Sequence, residues 1–306
     1  MIKKIKIGCR GSKLSLAYAN KVKNLILTND KKKILRAEIV TIKTSGDRNK
    51  NKKISEIGGK NLFCKEIENK LIQKKINIAV HSLKDLDSIE TKGLSIQAFI
   101  KRNDPRDCFL SKNFKNFSKL KKNIVGSSSK RRELQSKLFN RNILVKEMRG
   151  NIDTRIKKIK SGQFDGIILA LAGVKTLKYD SYVKEIFPTK FFLPCAGQGI
   201  IAVQSRTKDR KIRELLNKIN HKNTQICAIA ERSFLKNIGG DCDTAVGCYA
   251  KLSKNRIKLE VQLFSDDEEK FFKLKRIGNK NKPKKLGKDV AKEILKISKG
   301  NFIKKR

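Results

Sequence analysis

Apolar positions along the chain fall into two alternating rhythms. Residues 2–9 read as a half-buried strand, with Lys4-Ile5-Lys6-Ile7 alternating, and 12–28 carry apolar residues at helical spacing behind Ser12. Residues 34–43 repeat the strand pattern, and 61–74 the helical one, with Leu62, Ile67 and Leu71 on one side. Ile76 to Val80 reads as a buried strand that runs straight into His81-Ser82-Leu83-Lys84-Asp85, and Leu94 to Ile100 as another strand. This β-α-β-α order predicts an α/β lobe on a largely parallel sheet.

A second set of the same kind follows the polar turn Arg102-Asn103-Asp104-Pro105-Arg106-Asp107. Strands are predicted at 123–126, 143–148 and 166–170, with helices near 129–139 and 151–160. Pro194-Cys195-Ala196-Gly197-Gln198-Gly199 makes a second crossing, followed by a strand at 200–205 and helices near 208–219 and 223–237. The last stretch changes character: 246–252, 256–264 and 270–277 read as an antiparallel meander closed by a helix at 286–298. The expected organisation is three domains. Residues 1–100 with 199–218 form one α/β lobe, 104–194 a second, and 221–306 a small α+β domain with an antiparallel sheet. There is no internal repeat.

Composition narrows the classes. With 38% hydrophobic residues in 306, sizeable cores can be buried. No apolar run approaches the roughly 20 residues of a membrane-spanning helix, and the first residues hold no signal-peptide stretch. Seven cysteines without a Cys-x-x-Cys pair and only two histidines argue against a disulfide framework or a zinc site. A soluble cytoplasmic protein is expected. The net charge of +45, from 74 basic and 29 acidic residues, has two readings. One is nucleic-acid binding through phosphate contacts. The other, favoured by the excess of Lys, Asn and Ile and by aromatics at 6%, is compositional drift of an AT-rich coding sequence. The basic segment 271–306 reads as a solvated face.

Arginine is the sharper signal, because its planar fork grips carboxylates as lysine does not. Arg131, Arg132, Arg141, Arg149 and Arg155 crowd into 126–160. Three strand ends carry anion-receptor chemistry at a helix N-terminus: Arg10-Gly11-Ser12, Gly126-Ser127-Ser128-Ser129 with Arg131 and Arg132, and Arg149-Gly150-Asn151 with Arg155. Each alone could be an N-cap beside surface arginines; together they predict a cleft lined with anion receptors. Asp85 would enter it as a lone carboxylate, suited to holding N–H groups of a cationic intermediate or to proton transfer, or else is a turn residue paired with a cation. His81 reads as a structural histidine. Cys242, in Gly239-Gly240-Asp241-Cys242-Asp243-Thr244, is either an inert loop thiol or a point of covalent attachment. The other cysteines lie in apolar patterns and read as packing residues.

Taken in order from Ile7 to about Ala250, these motifs closely resemble the porphobilinogen deaminase (hydroxymethylbilane synthase) family. Further stations are Thr44-Ser45-Gly46-Asp47, Gly58-Gly59-Lys60 with Leu62-Phe63, Lys65-Glu66, Asp104-Pro105-Arg106-Asp107, Thr154-Arg155, Ala172-Gly173, Gly197-Gln198-Gly199 and Ala230-Glu231-Arg232. The resemblance implies two lobes like periplasmic binding proteins and a third small domain. It implies a transferase that condenses four porphobilinogen molecules, with loss of ammonia, into the linear tetrapyrrole hydroxymethylbilane. The chain would grow on one dipyrromethane cofactor joined by a thioether to Cys242. Lys84, Asp85, Ser128, Arg131 and Arg132 are assigned to that cofactor, and Arg10, Ser12, Arg149 and Arg155 to substrate carboxylates. Asp85 is the catalytic carboxylate, stabilising the azafulvenium cation left as ammonia departs. No metal, membrane or nucleic acid is needed, and a monomer is expected. The chain departs from the family pattern at Tyr18, Asn61, Asp87 and Ala245. Thr176 stands where the family usually carries a carboxylate-binding arginine. Rival readings are a non-enzymatic anion binder on the same fold, a nucleic-acid binder, and an inactive member of the family.

Overall fold

The computed structural model describes residues 3–30, 35–48, 64–240 and 244–303. By its internal contacts the chain divides into two units, Met1–Arg102 with Ile200–Gln225 and Asn103–Gly199 with Ile226–Arg306.

The first unit is built on a five-stranded sheet of order β2-β1-β3-β10-β4. Its strands are β1 (Lys4–Arg10), β2 (Arg36–Ile42), β3 (Ile78–Ser82), β4 (Leu94–Phe99) and β10 (Ile201–Arg206). β1 runs parallel to both neighbours, with Ile7 opposite Ile39 and Ile78. β10 runs antiparallel to β3 and β4. Helix α1 (Lys13–Thr28) starts where the Ser12 hydroxyl accepts from Ser15 N, and turns Tyr18, Ala19, Val22 and Ile26 inward. These pack on Ile5, Ile7 and Cys9 from alternate positions of β1, together with Ile212 and Leu216 of α7 (Arg210–Asn217). The opposite face of the sheet is covered by α3 (Lys65–Ile72), whose Ile67 and Leu71 join Ile42, Ile76 and Ala79. A single turn, α2 (Ser45–Arg48), follows β2.

The second unit repeats the plan as β7-β6-β8-β5-β9. Here β5 is Asp107–Leu110, β6 Ile124–Gly126, β7 Leu144–Lys146, β8 Gly166–Ala170 and β9 Val183–Ile186. β6 is parallel to β7 and β8, while β5 is antiparallel to β8 and β9. Helices α4 (Lys130–Phe139), α5 (Ile152–Lys160) and α6 (Leu171–Thr176) follow β6, β7 and β8. One core holds Cys108, Leu110, Ile156 and Ile167; the other holds an aromatic cluster of Phe109, Phe117, Phe187 and Phe192.

Largely parallel sheets are thus observed, with one feature the sequence reading lacked. In each sheet the strand in fourth position runs against the other four, and it is the strand that follows a crossing: β5 after the first, β10 after the second. Gly199, at the second crossing, sits at φ +81, and a Cβ there would come within 2.8 Å of the Asn103 carbonyl. The second unit also contains α8 (Lys222–Asn237, from Ile226 on), the meander β11 (Val246–Ser253), β12 (Arg256–Phe264) and β13 (Phe271–Asn279), and α9 (Pro283–Ile297). α9 opens on Pro283 and buries Leu286, Val290, Ala291 and Ile294 against the sheet and α8. Gly287 permits that approach, since a Cβ there would meet the Ala230 carbonyl at 2.4 Å. The meander and closing helix match the expected antiparallel C-terminal sheet.

Candidate active site

In the first unit, strand β3 ends at Ser82 and the chain makes one 3-10 turn, Leu83–Asp85. The turn is tied to the sheet by a hydrogen bond from Leu83 N to the Ile200 carbonyl. Among the described residues, neither the Asp85 carboxylate nor the Lys84 ammonium has a hydrogen-bond or ion-pair partner, although both are half-buried. A carboxylate left unpaired in a chain of net charge +45 is poised to receive a donor.

Arg10, at the end of β1, already holds a carboxylate. Its Nη2 donates to Asp47 Oδ1 at 2.6 Å and its Nε to Oδ2 at 3.4 Å, while Thr44 Oγ1 donates to Oδ2 at 2.7 Å. Partial burial alone would raise the Asp47 carboxyl; the Arg10 and Thr44 hydrogen bonds outweigh it and hold the group below the ordinary range. Ser12 spends its hydroxyl oxygen capping α1.

In the second unit, Arg131 and Arg132 are 3% and 7% exposed and converge on Asp107, the fully buried first residue of β5. Arg131 Nη1 donates to Asp107 Oδ2 at 2.8 Å, and also to Gln135 Oε1 and the Leu193 carbonyl. Arg132 Nε donates to Asp107 Oδ1 at 3.0 Å, its Nη1 to the Ile168 carbonyl and its Nη2 to Gln198 Oε1. Gln198 Nε2 donates to Asp107 Oδ1 as well. Burial by itself would raise the Asp107 carboxyl; the charges of Arg131 and Arg132, with hydrogen bonds from Arg131 and Gln198, prevail and lower it. The cluster keeps one net positive charge, and Arg131 Nε–H is buried without an acceptor.

Arg149 Nε pairs with Glu147 at 2.8 Å. Arg155 differs from the other four arginines. Its Nε donates to the Gly150 carbonyl at 2.8 Å and its Nη2 to the exposed Ser128 hydroxyl at 3.0 Å, and no carboxylate pairs with it among the described residues. Desolvation, together with the nearby Arg132 charge, pushes its pKa down to about 10. An incoming anion would relieve both. Thr176 turns its hydroxyl back to the Ala172 carbonyl at 2.7 Å.

The structure therefore brings Ser128, Arg131, Arg132, Arg149 and Arg155 together at one end of the second sheet, and Arg10, Ser12, Lys84 and Asp85 at one end of the first. Cys242 and Gly58–Phe63 lie outside the described residues. Sequence reading missed the internal acids: Asp107 and Asp47 were seen in motifs but not as partners of the arginines. The signal for Asp107 was its place heading the apolar run Cys108-Phe109-Leu110, where a buried carboxylate requires cations. Among the described residues no group of three or more His, Cys, Asp or Glu could hold a metal, and no helix is long and apolar enough to cross a membrane. None of the six described cysteines is in a disulfide, and all are buried except half-buried Cys195.

In the first unit, a carboxylate and an ammonium without partners among the described residues suit a ligand with N–H donors and anionic groups. In the second, a desolvated guanidinium that no described acid pairs with suits an anion. Residues 5–214 match the family model described as porphobilinogen deaminase, dipyromethane cofactor binding domain, and residues 225–296 match porphobilinogen deaminase, C-terminal domain. The chain is 38% identical over 297 residues to the porphobilinogen deaminase of Francisella tularensis subsp. novicida, covering 97% of each chain. It is 37% identical, with the same coverage, to that of F. tularensis subsp. tularensis strain WY96-3418. Among solved structures it is similar to the VFT2 domain of Bordetella pertussis BvgS, at 13% identity and TM-score 0.43 over 71% of this chain and 86% of that one. A putative methionine-binding lipoprotein from Bacillus subtilis is similar at 12% identity and TM-score 0.42, over 73% and 94%. The sheet orders, not these loose likenesses, carry the fold. With both family models matched in order and near full-length relatives at this identity, the chain belongs to the porphobilinogen deaminase family.

Proposed function

We propose that this protein is a hydroxymethylbilane synthase, joining four porphobilinogen molecules head to tail with release of ammonia and then freeing the linear tetrapyrrole by addition of water. The observation that carries the reading is the Asp85 carboxylate, without a cation partner among the described residues of a chain with net charge +45. When bound, the dipyrromethane supplies the nucleophilic pyrrole carbon to which the first substrate unit is joined. Cys242 holds it by a thioether, and Lys84, Asp85, Ser128, Arg131 and Arg132 contact it.

Asp85 accepts the pyrrole N–H of the reacting substrate. As ammonia leaves, positive charge spreads onto that ring and its N–H, and a carboxylate not already neutralised stabilises it by about 3 kcal/mol. The rigid tie from Leu83 N to the Ile200 carbonyl holds the turn in place, so little reorganisation is required. Substrate acetate and propionate groups go to cations. Arg155 is the most available, and Arg10, Ser12 and Arg149 add contacts by sharing or exchanging their present partners. The protein acts as a cytoplasmic monomer that needs no nucleic acid; elution volume and salt-independent turnover check this.

The deciding experiment is intact mass of the purified protein and of Cys242→Ala, before and after incubation with porphobilinogen. An added mass of two linked pyrrole units on the parent and none on the variant is expected. An unmodified parent after incubation would overturn the reading in favour of a non-enzymatic anion binder.

A further inference from the structure

Behind Asp85, on the α3 side of the first sheet, lies a line of buried polar side chains. Thr91 Oγ1 donates to Glu68 Oε2 at 2.7 Å, and Gln204 Nε2 donates to Glu68 Oε1 at 2.8 Å. Gln204 stands opposite Ala79 across β3 and β10, so its side chain shares a face with that of His81, two residues along. His81 Nε2 and Gln204 Oε1 are both buried and neither makes a hydrogen bond of normal geometry. On the other side of the ring, His81 Nδ1 lies 3.8 Å from Cys64 Sγ, and the same sulfur lies 3.5 Å from the Asp85 carbonyl oxygen. Glu68, His81, Gln204 and Cys64 are each no more than 6% exposed.

Cys64 occupies the N-cap of α3, where a short oxygen side chain would ordinarily accept from the helix's free N–H groups. It makes no such cap; its thiol faces away, toward His81 and Asp85. We infer that Cys64 and His81 are positioning residues for Asp85, with Glu68 and Gln204 selecting the imidazole tautomer that keeps the thiol aimed at the Asp85 carbonyl. The inference rests on the assignment of Asp85 as the catalytic carboxylate.

Glu68 takes the Gln204 amide nitrogen, which leaves the amide oxygen for the imidazole. An oxygen facing Nε2 favours the proton there, so Nδ1 carries the lone pair. Burial pushes the His81 pKa down to about 4, and the ring is neutral at pH 7. Its Nδ1 lone pair then offers an acceptor to the Cys64 S–H, alongside the Asp85 carbonyl. The thiol thereby bridges strand β3 to the turn that presents Asp85, and a thiol is a weak enough donor to be shared.

Two measurements test this, and one is independent of turnover. The chain has two histidines, so His221→Gln leaves the ring nitrogens of His81 as the sole imidazole signals in a nitrogen-15 NMR spectrum. At pH 7 a neutral ring protonated at Nε2 is expected; an Nδ1–H or charged ring overturns the inference even in an inactive protein. In the second, Cys64→Val replaces the thiol with an apolar side chain and removes the donor, whereas Cys64→Ser keeps a donor. Losing one weak hydrogen bond to the turn should lower kcat about three- to fivefold with KM unchanged for the valine variant, and the serine variant should recover to within about twofold. Equal loss in both variants, or loss in neither, overturns the inference. If the unmodified protein or its Asp85→Asn variant gives the wrong result, turning over no porphobilinogen or losing nothing, it is the functional reading that fails; the NMR result still stands or falls alone.

Discussion

In the first unit the carboxylate at the end of β3, Asp85, has no cation partner among the described residues; in the second, the carboxylate heading β5, Asp107, has two. The sheets that carry them share one strand plan, so the contrast lies in side-chain environment and not in topology. Asp85 closes a short turn at half-buried depth, where water supports its charge. Asp107 is wholly buried, and a carboxylate there is tolerable only with Arg131, Arg132 and Gln198 around it. The two acids therefore do different work. Asp107 fixes two guanidinium planes and cancels half their charge, whereas no cation among the described residues offsets Asp85. Arginine clustering alone does not measure anion-binding capacity, since Arg10, Arg131, Arg132 and Arg149 all hold internal acids and Arg155 does not.

The contrast is most severely tested by neutralising each acid. Asp85→Asn should cut kcat by about a hundredfold or more while leaving the melting temperature within a degree or so, because no fold-stabilising partner is lost. A large drop in melting temperature with mild kinetic loss would reverse the roles assigned to the two acids. Asp107→Asn should do the opposite first: it strands two buried guanidiniums, with destabilisation of about 3–5 kcal/mol measurable by denaturant titration. Because the native Asp107 pKa is depressed, its contribution is present above the ordinary carboxylate range near pH 4 and is lost as the pH falls further. The stability gap between parent and variant should accordingly be widest at neutral pH and shrink below about pH 4. A gap independent of pH would mean that the ion cluster is not its source.

Smaller effects sharpen the comparison among the arginines. Arg155→Met should raise KM for porphobilinogen about tenfold, the scale of one charge-assisted contact, with kcat less affected. Arg149→Met, whose guanidinium already serves Glu147, should raise it less; equal effects would show that the internal acid does not matter. Thr176→Arg exchanges a hydroxyl turned on its own helix for a free fork, and should lower KM a fewfold at most. An unchanged rate and KM there would remove any significance from the threonine.

Much of the fold was legible because burial follows period. The helices opened by Ser12 and by Pro283, the buried strand before His81 and the C-terminal meander all lie on long, regular patterns. β5, β9 and α6 escaped notice, being four to six residues each; β5 sits directly behind a polar turn, and β9 carries Lys184 and Glu185 mid-strand. Strand β3 runs two residues further than its apolar stretch, since His81 and Ser82 continue the ladder against Ala202 and Ile201. His81 is buried, as a structural histidine should be, but its Nε2 lacks the hydrogen bond a satisfied ring would make, and the thiol beside it gave no sign in the motif.

Residue types and their spacing were enough to determine the family, the α/β class and the chemical inventory: one acid after a buried strand, and arginines at strand ends. Those follow from local propensity and from alternation, which act within a few residues of each position. Which charges are already neutralised was decided by tertiary structure alone. Asp107 meets Arg131 and Arg132 across 24 and 25 residues, and Arg10 meets Asp47 across 37, only because strands bring their ends together. Coulombic pairing depends on distance and burial in space, and neither is written in the order of the residues.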